Sequence, residues 1–236
     1  MYDLVLLYGF IALSIGIFVN LLLKVIRSGF FDEIKPEITE KPEFISDQLS
    51  VFYKYNVGPY NKTGSIVSEI KDILPQGVTT FGIFYDDPAV VEEQRCQSAV
   101  GVIFGKNGVD EYQDNYAQQL IRYGYEKMTL PKVSKAVHVE QANNNFLSIF
   151  ALVFRTYGIL KSFIEEQNIS MSATVEIYSN DKYHILLPLD HAAEFVVPEY
   201  KTQENLDGQF ARKKFDSDES DSESETEIAA EDEKDK

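Results

Sequence analysis

One cysteine, Cys96, is all that the 236 residues carry. A lone thiol cannot close an internal disulfide or build a cysteine zinc cluster, so the chain reads as one made for a reducing compartment. Positive charge is scarce as well: 22 Lys and Arg against 38 Asp and Glu leave a formal net charge of -16. With no basic stripe to neutralise phosphates, nucleic acid is excluded as a direct partner. Signatures of chemistry are missing too. There is no phosphate-cradling glycine loop, no paired-histidine metal helix and no nucleophile elbow. The histidines, His138, His184 and His191, lack ligand spacing, so neither a metal site nor a cofactor is expected. Cys96 has only Arg95 beside it as an activator and reads as an inert thiol. Together these absences argue against an enzyme.

What the chain has in plenty is an apolar start. Leu4 to Leu23 is an almost unbroken apolar run, and at about 1.5 Å per residue it reaches roughly 30 Å, the thickness of a hydrocarbon core. The opening Met1-Tyr2-Asp3 lacks the basic region of a signal peptide, so the run is expected to be a permanent anchor in the lipid bilayer rather than a buried core helix. Lys24 and Arg27 follow it while Asp3 stands alone before it, and the positive-inside rule then places everything after Arg27 in the cytosol. Gly9 and Gly16 form only a small-residue face and leave oligomeric state open.

Patterning divides the chain into an anchor (1–27), one cytosolic domain (28–200) and an acidic tail (201–236). Pro36 and Pro42 mark residues 29–38 as extended chain or an edge strand. Period-2 alternation predicts a strand over Val51–Val57, stopped by Gly58-Pro59. Ile66, Ile70 and Ile73 predict a helix over Ser65–Leu74, stopped by Pro75-Gln76-Gly77. Strands Thr79–Tyr85 and Gln97–Phe104 follow, then a connecting helix, Asp110–Tyr123. A second round repeats the order: strand Lys135–Glu140, a long helix Phe146–Glu165, and strands Ala173–Ser179 and Tyr183–Leu187. On that helix Phe146, Ile149, Phe150, Val153, Tyr157, Leu160 and Ile164 share a stripe, which predicts a core helix. Nine apolar residues before Arg155 are too few for a second membrane span. The recurrence, with strand-end tetrads Phe84-Tyr85-Asp86-Asp87 and Ile177-Tyr178-Ser179-Asn180 at equivalent places, suggests a duplicated strand-helix-strand-strand unit. The expected fold class is therefore α+β, an antiparallel sheet with helices on one face.

Residues 216–236 hold eleven Asp and Glu against two Lys, and the whole segment 201–236 is expected to be a disordered tail. As a flexible coil the whole tail would span on the order of 35 Å. Ser220, Ser222 and Ser224 each precede an acid by three residues and are candidate phosphorylation sites for acidophilic kinases. Asn61-Lys62-Thr63 and Asn168-Ile169-Ser170 match the glycosylation pattern but would go unmodified in a cytosolic domain. Aromatics and carboxylates recur on the predicted strands. Tyr53, Tyr55, Glu140 and Glu176 are the candidates for lining a small-molecule cleft, with ordinary cross-strand pairing as the alternative.

Several segments resemble the testis-expressed protein 264 family. They are Tyr53 to Tyr60 with Thr63-Gly64, Tyr85-Asp86-Asp87-Pro88, Cys96 with Ala99-Val100-Gly101, Leu147-Ser148-Ile149, Val175 to Tyr178, Pro188-Leu189 and Phe195 to Glu199. The resemblance runs in order through nearly all of residues 1–200. It implies a gyrase-inhibitor-like (GyrI-like) cytosolic domain on a single-pass anchor and a receptor role in selective autophagy of the endoplasmic reticulum (reticulophagy). In that family an aromatic-x-x-aliphatic motif in the tail docks GABARAP-type ubiquitin-like proteins by strand addition. Here the chain departs: Tyr200, Phe210 and Phe215 are followed at the third position by Gln203, Lys213 and Asp218. Phe31-Asp32-Glu33-Ile34 fits the pattern, which makes Phe31 and Ile34 the candidate partner-binding pair. The resemblance implies two further roles. One is a membrane-tethered small-molecule binder or hydrolase of the GyrI-like class. The other is an adaptor for an AAA+ segregase in repair of DNA-protein crosslinks at the nuclear envelope.

Overall fold

Alternating side chains build a nine-stranded antiparallel sheet whose covering helices share one face. The computed structural model describes residues 2–170, 173–179 and 181–208. Helix α1 (Tyr2–Arg27) leads into strands β1 (Glu37–Thr39) and β2 (Leu49–Val57), helix α2 (Gly64–Ile73), and strands β3 (Thr80–Phe84), β4 (Gln97–Lys106) and β5 (Val109–Asp110). Helix α3 (Asp114–Arg122) and strands β6 (Glu126–Leu130) and β7 (Ala136–Ala142) come next. The chain then forms α4 (Ser148–Ala151), a π-helical turn (Leu152–Thr156), α5 (Tyr157–Glu166), β8 (Thr174–Ser179) and β9 (Lys182–Pro188). The strands lie in the order β1-β7-β9-β8-β3-β4-β2-β6, with β5 beside β4. Residues Met1–Val197 form one compact unit and Pro198–Lys236 another, of which the described part holds a helical stretch over 203–208.

The duplication is visible in this order. The first unit pairs β2 with β4 and β4 with β3; the second pairs β7 with β9 and β9 with β8. Antiparallel pairing of β3 with β8 joins them, with Gly82 opposite Glu176. The helix ends follow from local chemistry. Leu74 is extended, ending α2, because Pro75 behind it disfavours the helical region.

Cross-strand partners share a face, so register sorts the core into two. On the helix face Phe52, Val102 and Phe104 pack against Ile70 and Ile73 of α2 and Leu120 of α3. Val137, Val139, Ile185 and Leu187 pack there against Leu152, Leu160 and Ile164. On the opposite face loops do the covering: Phe44 rests edge-on against His184 at 4.8 Å, and the Tyr85 hydroxyl donates to the Phe195 carbonyl at 3.0 Å. Gly101 lets β2 and β4 meet, since a Cβ there would stand 1.9 Å from the Phe52 carbonyl oxygen.

Three expectations need correction. The helix expected over Phe146–Glu165 is not one core helix. It is broken by the π turn, and Phe146, Ile149, Phe150 and Val153 are exposed while Ser148, Ala151, Leu152 and Thr156 face inward. A π turn holds one residue more than an α turn, so the phase read from Leu160 and Ile164 does not extend back through it. Strand β6 had no counterpart in the pattern: Glu126-Lys127-Met128-Thr129-Leu130 sits at the sheet edge with mostly exposed side chains and shows no apolar alternation. Residues 203–208 of the supposed tail are helical, and Leu206 is buried. The remainder of the tail, including Ser220, Ser222 and Ser224, lies outside the described residues.

Candidate functional site

Helix α1 meets the sheet domain through a built junction. The carboxyl end of α1 leaves backbone carbonyls that no helical amide reaches, and two asparagines fill that need. Asn145 Nδ2 donates to the Lys24 carbonyl and Asn144 Nδ2 to the Arg27 carbonyl, each at 3.0 Å. Ser28, buried at the turn, donates its hydroxyl to the Val25 carbonyl at 2.6 Å. Arg155 reaches the Gly29 carbonyl at 3.5 Å. Lys24 also lies over the Phe146 ring, 5.9 Å from its centre. An 18-residue window within residues 4–27 has a mean hydropathy of 2.3 and is not buried inside the protein. Among the described residues one helix is thus long and apolar enough to cross a membrane, with the predicted flanks Lys24 and Arg27 in its last turn. Neither asparagine was expected to matter. The signal for them was the run Asn143-Asn144-Asn145 directly ahead of an apolar helix.

Phe31 and Ile34 part company. Phe31 is 67% exposed, whereas Ile34 is buried against Val137, Val139 and Leu152. A strand-adding motif has to offer both its aromatic and its aliphatic side chain to one groove. With Ile34 in the core, this pair does not present that surface.

The four cleft candidates do not line one cleft either. Glu176 stands on the helix face; Tyr53 (opposite Gly101) and Tyr55 (opposite Ala99) are on the other face, as is Glu140, opposite His184. Glu176 is the most unusual of them, a carboxylate only 6% exposed. Its oxygens are taken by the hydroxyls of Tyr157, from α5, and of Tyr178, the latter at 2.6 Å. Burial pushes the Glu176 carboxyl above its ordinary range despite the two donors, and it lifts both tyrosines well above theirs, so the hydroxyls stay protonated and donating. Tyr183 packs edge-on against Tyr178 at 5.4 Å and is pushed up to about 12. A closed carboxylate of this kind would accept a cation only after its tyrosines turned away.

Two of the histidines meet although the sequence spacing gave no hint of it. Residues 138 and 184 lie diagonally across β7 and β9, and His138 Nε2 is 3.3 Å from His184 Nδ1. Glu140 stands 3.7 Å and Glu43 3.9 Å from His184 Nδ1, and one donor atom each from His138, Glu140 and His184 lie within 4.8 Å of one another. The rings are nearly parallel with centres 5.6 Å apart, so the nitrogens lie close to the line between them. That is the geometry of an N–H···N hydrogen bond, and Glu140 is engaged by Lys182 at 2.5 Å. Burial lowers both imidazole pKa values and keeps the pair neutral. As it stands, the cluster is a polar tie between strands. Cys96 is buried and its thiol is pushed up by desolvation, which leaves it inert.

No family model matches the chain. Among solved structures it is similar to the EcmrR C-terminal domain, at 12% identity and a TM-score of 0.43 over 66% of this chain and 96% of that one. It is also similar to a hydrolase from Listeria innocua, at 11% identity and a TM-score of 0.40 over 70% and 97%. In sequence it is 29% identical over 160 residues to testis-expressed protein 264 from Homo sapiens and to its homologue from Mus musculus. The match takes in 66% of this chain and 49% and 50% of those proteins, so the chain spans about half the length of the curated relatives it matches. On that aligned sequence, the chain is a homologue of testis-expressed protein 264.

Proposed function

We propose that this protein is a membrane-anchored receptor or adaptor for selective autophagy of the endoplasmic reticulum, with its sheet domain in the cytosol. The observation that carries the reading is the junction: Asn144 and Asn145 close the carbonyls of Lys24 and Arg27, so the domain is fixed to the end of an apolar helix able to cross a bilayer. Such a fixed base suits a protein that marks a membrane for other proteins. Homology to testis-expressed protein 264 supports it. The proposed partners are GABARAP-type ubiquitin-like proteins and an AAA+ segregase, with the acidic tail as the recruiting element, because Ile34 is buried and unfit for docking. The test is starvation-induced lysosomal turnover of the tagged full chain beside a version ending at Tyr200, with capture of GABARAP-type proteins from the same cells. Turnover and capture that fail on truncation support the reading. A full chain that neither turns over nor captures these proteins overturns it.

A second reading, a small-molecule binder without catalysis, is favoured by Glu176 alone, since a buried carboxylate ringed by tyrosines is a costly feature to keep. A cationic ligand that raises the melting temperature of the protein, and fails to do so in Glu176→Ala, would support it.

A further inference from the structure

The turn before α4, α4 itself and the π turn together expose an apolar face. Phe146 is 64% exposed and Phe154 74%, with Ile149, Phe150 and Val153 between them, and the Phe150 and Phe154 rings lie parallel 6.2 Å apart. This is a contiguous patch, and contiguous apolar patches on a folded surface mark an interface. Its neighbours say which one. Phe146 lines a shallow concavity together with α1 side chains from Ala12 to Lys24, and the Lys24 ammonium lies 5.9 Å from its ring centre. Asn145 ties the amino end of this face to Lys24, and Arg155 ties its other end to Gly29. Both ends of the face therefore stay at the base of the anchor instead of climbing away from it. Phe30 and Phe31, packed edge to face at 5.6 Å, are exposed at the same level. The inward side is held rigidly, for Gln141 donates to the Ser148 carbonyl at 2.8 Å and accepts from the Thr156 hydroxyl.

We infer that the face formed by Phe146, Ile149, Phe150, Val153 and Phe154 lies in the interfacial layer of the bilayer that α1 spans, an inference that rests on the anchor reading above. An amphipathic helix of this kind buries its apolar side about 5–10 Å into the headgroup and acyl boundary. The π turn is what allows it. It turns the Phe150 and Phe154 positions toward lipid while Leu160 and Ile164 stay on the sheet. Arg155, half-buried and flanking Phe154, is placed to meet lipid phosphates. The domain would then touch the membrane along two elements, and Phe31 would be a lipid contact rather than a docking aromatic.

The test uses the full chain carrying Cys96→Ala and one new cysteine at a time, labelled with an environment-sensitive fluorophore and reconstituted in phosphatidylcholine vesicles with brominated acyl chains. Leu13→Cys reports the anchor, Phe150→Cys and Phe154→Cys report the face, and Asp72→Cys on α2 reports water. The expected result is quenching at 150 and 154 approaching that at 13 and about threefold or more above that at 72. Quenching at 13 with 150 and 154 no different from 72 would overturn the inference while leaving the anchor intact, and would free the face for a protein partner. No quenching at 13 would remove the anchor reading and the inference with it.

Discussion

Glu176 shows how one buried carboxylate sets a pH response. Its folded-state pKa is raised, with burial as the largest cause, so the folded protein prefers the protonated acid. Stability from this group is complete below the unfolded carboxyl value, near 4.3, and is lost as pH rises through the folded one. Glu176→Gln, neutral at every pH and still able to accept from a tyrosine, is expected to melt at or above the parent temperature near pH 7.5 and to flatten the fall in stability that sets in as pH rises past the unfolded carboxyl value. Glu176→Ala is expected to cost on the order of 2–3 kcal/mol, because Tyr157 and Tyr178 lose their acceptor in a dry site. Urea melts of all three across pH check both outcomes. The histidine pair runs the other way. Both rings have lowered values, by burial first, although Glu140 and Glu43 oppose it and Lys182 adds to it. Stability from the neutral pair is therefore present above the unfolded histidine value, near 6.5, and is lost as pH falls through that value and below it. The doubly neutral variant His138→Gln with His184→Gln is expected to lose less stability than the parent between about pH 7 and 5, read by the same melts. An equal loss would show that the acid response lies elsewhere.

At the scale of elements, the segment from α4 to α5 depends on one polar side chain. Gln141, buried on β7, ties the start of α4 to the end of the π turn by bonding the Ser148 carbonyl and the Thr156 hydroxyl. Gln141→Leu is expected to destabilise by about 1–2 kcal/mol, since the buried Thr156 hydroxyl loses its acceptor while the Ser148 carbonyl keeps only the Leu152 amide. Amide hydrogen exchange should rise first in residues 148–156, ahead of the sheet; uniform loss of protection would refute the local role. This element also marks where the sequence stopped being legible. Strands with period-2 alternation, such as Val51–Val57, and helices ended by proline, such as the one before Pro75, were readable as elements because backbone chemistry acts within a few residues, although Phe52 and Tyr53 are buried on opposite faces of that strand. Residues 146–154 were apolar on more than one face, and a period-3.6 stripe cannot say which side meets the sheet and which meets another solvent. The edge strand Glu126–Leu130 carried no alternation because neither side is well buried. Glu176 was legible as an acid on a strand, but its tyrosine from α5 was not, nor was the meeting of His138 with His184. Those depend on register, which the spacing along one strand does not contain.

For the whole molecule, the junction decides whether the domain swings on a tether or stands fixed on the apolar helix α1. Nothing but the short turn 28–32 separates α1 from the sheet domain, and Asn144 and Asn145 remove even that freedom by bonding the carbonyls that end the helix. These bonds are exposed to water in part, so each is worth about 1 kcal/mol or less, while the core beneath them does not depend on them. Asn144→Ala with Asn145→Ala should therefore leave the melting transition of the domain nearly unchanged and loosen only its attachment. A rigid attachment makes the whole domain rotate with the membrane particle; a loosened one lets it tumble locally. Time-resolved anisotropy of a probe at Asp72→Cys, with the full chain in lipid nanodiscs, should show a single slow decay for the parent and a faster added component for the double variant. If the two decays coincide, the asparagines do not hold the domain, and the apolar face from Phe146 to Phe154 is left as the contact that does.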